Sequence, residues 1–432
     1  MYHKPTNYTF MNWKKLKKTL GPGILFASTA IGVSHLVQST RAGANYGFAL
    51  LLFIVAANVL KFPFFEFAAR YASATGKSLI DGYKRLGKFA IWTYFIVTIC
   101  SMFFVSAAVV LVTAGFMDNL FGLSGLWSTF KLFPVALVFL VTVGLLMSGR
   151  FTFLDHFIKV VGITLLISTL IVFVLTLLKG PAEHVPNFIP PNIFDDTSIL
   201  FIIAVMGWMP TAMDLSTWTS LWIVEKIKST SYHPTLKETL FDFNFGYWVS
   251  AFLSICFVTI GAYLIYGTGQ SLPAGSVGFA DGVIKLYTTT MGNWSYIIIG
   301  TAAFSIMFGT CIGLFDGYAR TLQRTTTLLF AKREDKTIDS RKVYIWSLVI
   351  LAVGSFAINA FFSGQFKILI DLATTISFLI APLVAIANFR LVSSKYIDKA
   401  FLPGKLMKLI SYLGIVFLTG FALFYVYVKF IK

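Results

Sequence analysis

Charge is what this chain has least of. Asp, Glu, Lys and Arg together make up 12% of its 432 residues, about half of what a soluble domain carries. No stretch of the chain is polar enough to form a sizeable soluble domain. Cysteine is also scarce: Cys100, Cys256 and Cys311 lie far apart, each inside an apolar run. No paired spacing with Cys or His exists, which excludes a disulfide frame and a zinc site. The chain has no HExxH, no Ser/His/Asp set, and no Gly-rich phosphate loop ending in Lys-Ser or Lys-Thr. The common hydrolytic enzymes, and ATP-driven pumping by this chain alone, are therefore not expected, and no cofactor is implied. The basic N-terminal stretch is followed by a full-length apolar run with no small-residue cleavage site, so a signal peptide is not expected either.

What is present is apolar. Hydrophobic residues account for 57% and mean hydropathy is +0.79, so the bilayer is the expected solvent. A window of about 20 residues finds about eleven spans. They lie near 22–41, 47–71, 89–117, 131–149, 156–179, 197–223, 244–267, 291–320, 343–363, 366–392 and 407–430. The net charge of +17 does not point to nucleic acid, which needs Lys and Arg gathered on one polar face. Here most basic residues fall in alternate inter-span segments: the N-terminus with Trp13 and Lys14–Lys18, then Arg70–Lys88, Arg150, Lys226–Lys237, Arg320–Lys342 and Arg390–Lys408. Arg41, Lys131, Lys179 and Lys285 are sparse marks on the other side. By the positive-inside rule this places the N-terminus in the cytoplasm and the C-terminus outside, in a multi-pass plasma (inner) membrane protein.

Two spans are poor helices. The first opens Gly21-Pro22-Gly23 and contains Ser28 to His35; the sixth contains Met206-Gly207-Trp208-Met209-Pro210-Thr211-Ala212-Met213-Asp214. Gly and Pro weaken a helix, and backbone freed at membrane depth must be satisfied by a neighbour or face a cavity. One such break is an ordinary kink. Two in corresponding places of two five-span halves are the sequence pointer to a midplane binding site in an inverted-repeat transporter.

At these residues the chain resembles the NRAMP family of proton-coupled divalent-metal transporters. Gly21-Pro22-Gly23 and Ala42-Gly43-Ala44 match the family's first helix in type and spacing. Ala68-Ala69-Arg70 with Thr75-Gly76-Lys77 resembles the end of its second, and Met209-Pro210-Thr211-Ala212 is a partial counterpart of its MPHN. The resemblance implies an all-α membrane protein with a LeuT-like 5+5 inverted repeat plus one extra helix, helices 1 and 6 being broken. The expected division is a cytoplasmic segment 1–20, a first repeat 21–180, a second repeat 197–392 and a last helix 407–432. The site departs from the family. Gly32-Val33-Ser34-His35 occupies the DPGN slot, so Gly32 replaces the metal-binding Asp and His35 the Asn. The thioether Met209 is kept, but Thr211 and Ala212 replace the His and Asn of MPHN. Third-helix acids fall on about Ser106 and Val109, and a tenth-helix Gln aligns with about Ser377.

The implied substrate site is Gly32, Ser34, His35, Met209, Thr211, Asp214 and Ser377, with His35 and Asp316 as coupling or gating residues and His35, Met209 and Asp214 as the metal-ligand candidates. Each has a second reading. Imidazole titrates near neutrality, as a relay needs, but His35 can equally hydrogen-bond unwound backbone. Met209 can pack rather than ligate, and Asp214 can cap the second half-helix. Asp118, Asp155 and Asp371 read as structural, and Lys61 and Glu66, five apart, are expected to find partners elsewhere.

Three functions remain open. The first is a secondary transporter of a divalent cation by alternating access. Without the Asp it would suit Mg²⁺ or another ion that keeps part of its water. The second is a transporter of a non-metal small solute on the same fold, and the third a non-transporting NRAMP-like sensor. The expected partners are the lipid bilayer and a small ion or molecule, with no nucleic acid and no obligate protein partner.

Overall fold

The computed structural model describes residues 19, 21–126, 130–148, 151–330 and 340–431, without the side chains of 126, 151–162 and 340. The N-terminal anchors Trp13 and Lys14–Lys18, Arg150 and the side chain of Asp155 lie outside this description. Among the described residues every regular element is helical. Among these residues seven helices are long and apolar enough to cross a membrane. The other four expected spans are the two interrupted ones and two further helices, one of them short.

The first expected span is three pieces. α1 (Pro22–Ala30) ends at Ile31, and a π-type turn over Ser34–Ser39 leads into α2 (Thr40–Tyr46). Wide turns of this kind recur at functional sites. Hydroxyls take up the carbonyls the break releases: Ser34 Oγ donates to Ala30 O at 2.6 Å and Ser39 Oγ to Ser34 O at 3.2 Å. α3 (Leu51–Thr75) and α5 (Lys88–Phe121) match the expected second and third spans. Between them the amphipathic α4 (Leu79–Leu86), capped by Ser78 and Asp81, is an element the apolar window could not register. α6 (Phe133–Ser148) and α7 (Phe151–Lys179) follow.

The sixth span is also split. α8 (Asp196–Gly207) stops at Trp208, the chain runs through a cis Met209–Pro210 bond and a 3-10 turn over Met213–Leu215, and α9 (Ser216–Thr230) resumes. α10 (Leu236–Leu264) is the seventh span. The expected eighth span, 291–320, needs correction. A separate α11 (Ser276–Met291) precedes it, and α12 (Tyr296–Phe330) runs ten residues further, because Arg320 and Arg324 find acidic partners and extend the helix as polar surface. α13 (Ser340–Phe361), α14 (Phe366–Leu391) and α15 (Lys405–Phe430) complete the chain.

The broken first span lies against α10 at backbone contact. A Cβ at Gly23 would meet Asp242 O at 2.0 Å, and one at Gly43 would meet Val258 O at 2.0 Å. Small residues permit this approach, which gives dispersion contact where lipid offers no hydrophobic drive. α15 is the opposite case. Only 17% of its most apolar window is buried, and Leu413, Val416 and Leu423 face outward, as a lipid-facing helix requires.

Candidate functional site

The two breaks face one another across a small space. A cavity of about 20 Å³ is lined by Thr29, Ser34, Thr211 and Thr310, with Val105 and Val109 of α5 as its apolar wall. A space of that size holds about one water. Its polar lining residues are these four hydroxyl-bearing ones and Trp208, with no charged side chain among them. Among the described residues no three His, Cys, Asp or Glu side chains gather as a metal cluster would.

Of the expected substrate residues, Ser34 and Thr211 line this cavity. Gly32 stands beside it, and the room its missing side chain leaves is taken: a Cβ there would lie 2.9 Å from Thr310 Cγ2 and Oγ1. Thr310 is held in place by bonds to Ser28 O at 3.2 Å and Ile306 O at 3.0 Å. Of the third-helix pair, Val109 is in the wall and Ser106 is buried with an unpartnered hydroxyl.

His35 faces away, toward α10. Its ring is fully buried, with Nε2 2.8 Å from Ser250 O and Nδ1 2.9 Å from Ala30 O and 2.7 Å from Ser34 Oγ. A neutral imidazole donates only once. Given to Ser250 O, that proton leaves Nδ1 to accept from Ser34 Oγ, whose single proton then turns away from Ala30 O; a second ring proton would let Nδ1 donate to Ala30 O and leave the hydroxyl free to do the same. Met209 Sδ accepts from Ser39 Oγ at 3.7 Å, joining the two breaks. Asp214 reaches α5 and α12, its Oδ2 accepting from Ser101 Oγ at 2.7 Å and Tyr318 OH at 3.2 Å, while Oδ1 has no partner. His35, Met209 and Asp214 are thus each held by different neighbours and share no point. Ser377 accepts from Trp208 Nε1 at 2.8 Å and fixes the tenth span to the break. Asp316 lies on the side where α12 meets α13, paired with Arg320 at 2.7 Å and Tyr344 OH at 2.8 Å.

Several contributors are hard to see in sequence. Thr29 and Thr310 carry only hydroxyls. Arg41 and Gln38, one turn past the first break, converge on Asp371 of α14. The guanidinium binds both carboxylate oxygens at 2.7 and 3.0 Å, and Gln38 Nε2 adds a bond at 3.1 Å. Arg41 also lies over the Phe201 ring at 4.8 Å, so this cluster ties the first span to both α14 and α8. At the other end Asp242 of α10 accepts from the Gly21 and Gly23 N–H groups at 3.2 and 2.7 Å, capping α1. Glu66 finds Arg70 one turn on, at 2.9 Å. Asp118 accepts from Ser124 N at 2.7 Å, a local turn cap.

Paired helix breaks at the centre of an all-helical, membrane-crossing bundle define a LeuT-like transporter fold. The fold neighbours agree. A manganese transporter of Eremococcus coleocola superposes with a TM-score of 0.71 at 15% identity, over 98% of this chain and 88% of that one. MhsT in complex with L-phenylalanine superposes at 0.60 and 12% identity, over 94% and 98%. The sequence model of the natural resistance-associated macrophage protein-like family, Nramp, matches residues 23–428, and the chain belongs to that family. Relatives include an uncharacterized protein of Pasteurella multocida, 31% identical over 96% of this chain and 93% of that one. A divalent metal cation transporter MntH of Listeria welshimeri is 23% identical over 72% and 69%. The protein is therefore a multi-pass membrane transporter of the Nramp family and not an enzyme.

Proposed function

We propose that this chain is a secondary transporter working by alternating access, with the space between the two breaks as its substrate site and a divalent cation as its substrate. The observation that carries this is the cavity bounded by both breaks, with Ser34 of the first and Thr211 of the sixth span in its lining. Family membership and the MntH relatives favour a metal ion. The lining narrows which one. A bare divalent ion beside hydroxyls alone lacks countercharge, and burying such a charge costs tens of kcal/mol at about the Born limit. An ion that sheds water reluctantly, Mg²⁺ first, keeps its own oxygen shell and needs only polar walls. A hydrated ion brings several waters, whereas this cavity of about 20 Å³ admits about one, so it must widen to load.

His35, behind the cavity, is the coupling residue in this reading, since a second proton changes which carbonyls it holds. The Arg41–Gln38–Asp371 cluster is the closure on one side, and the Asp242 cap of α1 marks the other. With the basic segments inside, the Asp242 end faces the cytoplasm, the N-terminus lies there too, and the C-terminus lies outside. Flux of Mg²⁺, Mn²⁺ and Ca²⁺ into proteoliposomes tests the reading. Uptake of one of them, saturable and lowered by Ser34→Val or Thr211→Val, is expected. Flux no faster than in empty vesicles for all three removes divalent cations as substrates. One observation favours the second reading, a non-metal small solute: no lining residue carries a negative charge, and the ammonium of Lys61 is bound to the carbonyl of Thr211.

A further inference from the structure

Lys61 stands at the middle of α3 with no exposed surface. An ammonium there would be expected to seek a carboxylate, because an isolated charge in a dry interior is costly. Among the described residues it has no ion-pair partner within contact distance; Asp214 acts on it only from further away. Its three N–H donors go instead to three backbone carbonyls of the sixth-span break. Nζ lies 3.2 Å from Met206 O, 3.0 Å from Gly207 O and 3.0 Å from Thr211 O. The first two lie at the C-terminal end of α8, where the helix dipole is negative; Met206 O also accepts from Met209 N–H at 3.3 Å, whereas Gly207 O is one of the carbonyls the helix end leaves over. The third comes from the extended chain after Pro210, which folds back to complete the cage.

Three convergent carbonyls at a helix C-terminus are the arrangement by which a protein replaces the water around a small cation. Here the spacing is that of an N–H···O hydrogen bond, so the cage is sized for an ammonium. A gap that takes this donor from Gly207 O and Thr211 O at membrane depth is costly, so some cation must be present for the break to keep its shape. We propose that the break of the sixth span is a monovalent-cation site which this chain fills with its own side chain, Lys61, so that the ammonium takes the place of a soluble ion bound beside the substrate cavity. The site meets the cavity at Thr211, whose carbonyl serves the cage and whose side chain lines the cavity. It is independent of which substrate the cavity takes, and its test reads binding rather than transport, so failure of the substrate reading leaves it untouched.

Lys61→Met keeps the aliphatic stem and removes only the terminal ammonium, leaving a place for one small ion. The full-length variant and the wild type are purified in detergent, and their thermal unfolding is followed in choline, sodium, potassium and ammonium chloride at equal ionic strength. The variant is expected to unfold earlier than the wild type in choline and to regain stability with ammonium, saturably. The rise is about 3 °C or more when the site is filled, with sodium less effective because its shorter bonds would draw the cage inward. The wild type should respond equally to all four salts. Recovery of folded Lys61→Met only when it is extracted in ammonium or potassium supports the same conclusion. A folded variant indifferent to the salt, a wild type that shares its response, or a variant that folds in none of the four salts overturns the proposal.

Discussion

Restoring the family's carboxylate at position 32 is the sharpest way to ask why this site lacks one. In Gly32→Asp the new Cβ would stand 2.9 Å from two atoms of Thr310, closer than side chains pack, and Thr310 is pinned by bonds to Ser28 O and Ile306 O. Overpacking of this kind costs about 1–3 kcal/mol, and a buried carboxylate without a partner adds a few kcal/mol more, at about 3. The sum, about 4–6 kcal/mol, corresponds to a melting temperature lower by roughly 8 °C or more at about 2 °C per kcal/mol. In Gly32→Asp with Thr310→Ala the steric part, about 1–3 kcal/mol, should return. That double variant should then be stabilised by Mn²⁺ more than the wild type is, by about 2.7 kcal/mol at one hundred times the dissociation constant. Unfolding of the four proteins, wild type, two singles and the double, is followed in detergent with Mn²⁺ or EDTA. If Gly32→Asp alone melts with the wild type and responds to Mn²⁺ without relief at Thr310, the argument that Thr310 has taken the carboxylate's room is refuted.

Asp371→Asn should weaken the closure at Arg41, leaving a buried guanidinium with neutral partners only, the new amide and Gln38 Oε1 at 2.9 Å. Because Asp371 is about one-third exposed, the loss is discounted to about 1–2 kcal/mol. It should appear as faster solvent labelling of a cysteine placed at Ser34 in a cysteine-free background. Asp81, on α4 outside the membrane-spanning segments, is raised by burial but more strongly lowered by Arg324 and Ser78, so its carboxyl titrates below its ordinary value. A depressed folded value means its stabilisation is present at neutral pH and is lost only as pH falls through that value. The melting difference between wild type and Asp81→Asn, about 1 kcal/mol, should therefore hold from about pH 7 to 4 and shrink below. His35→Ala and Asp214→Ala should each slow proteoliposome uptake about tenfold or more, some 1.4 kcal/mol. Asp118→Asn keeps an oxygen for Ser124 N–H and should leave the rate within about twofold; unchanged uptake in the first two variants removes those residues from the mechanism.

Much of the architecture was legible because the bilayer imposes a strong code. Long apolar runs mark the crossings, and the Gly and Pro of spans one and six announced where the helices part. Amphipathic α4 escaped the window because half of its residues are polar. The exposed-side extension of α12 did so because ion pairs, not hydropathy, carry it to Phe330.

The sequence by itself determined that this is a helical membrane bundle of the Nramp family, that two of its helices are interrupted, and that Gly32 brings no carboxylate to the first break. These follow from local composition and backbone preference, which each segment carries with it. Only the tertiary structure decided where the side chains at the breaks point. His35 turns to Ser250 rather than to the cavity, Asp214 to Ser101 and Tyr318, and Lys61, read as an ordinary buried lysine seeking a partner, into three carbonyls of another span. A hydrogen bond between residues 145 or more positions apart has no signature along the chain, since its partners are main-chain groups that every residue possesses.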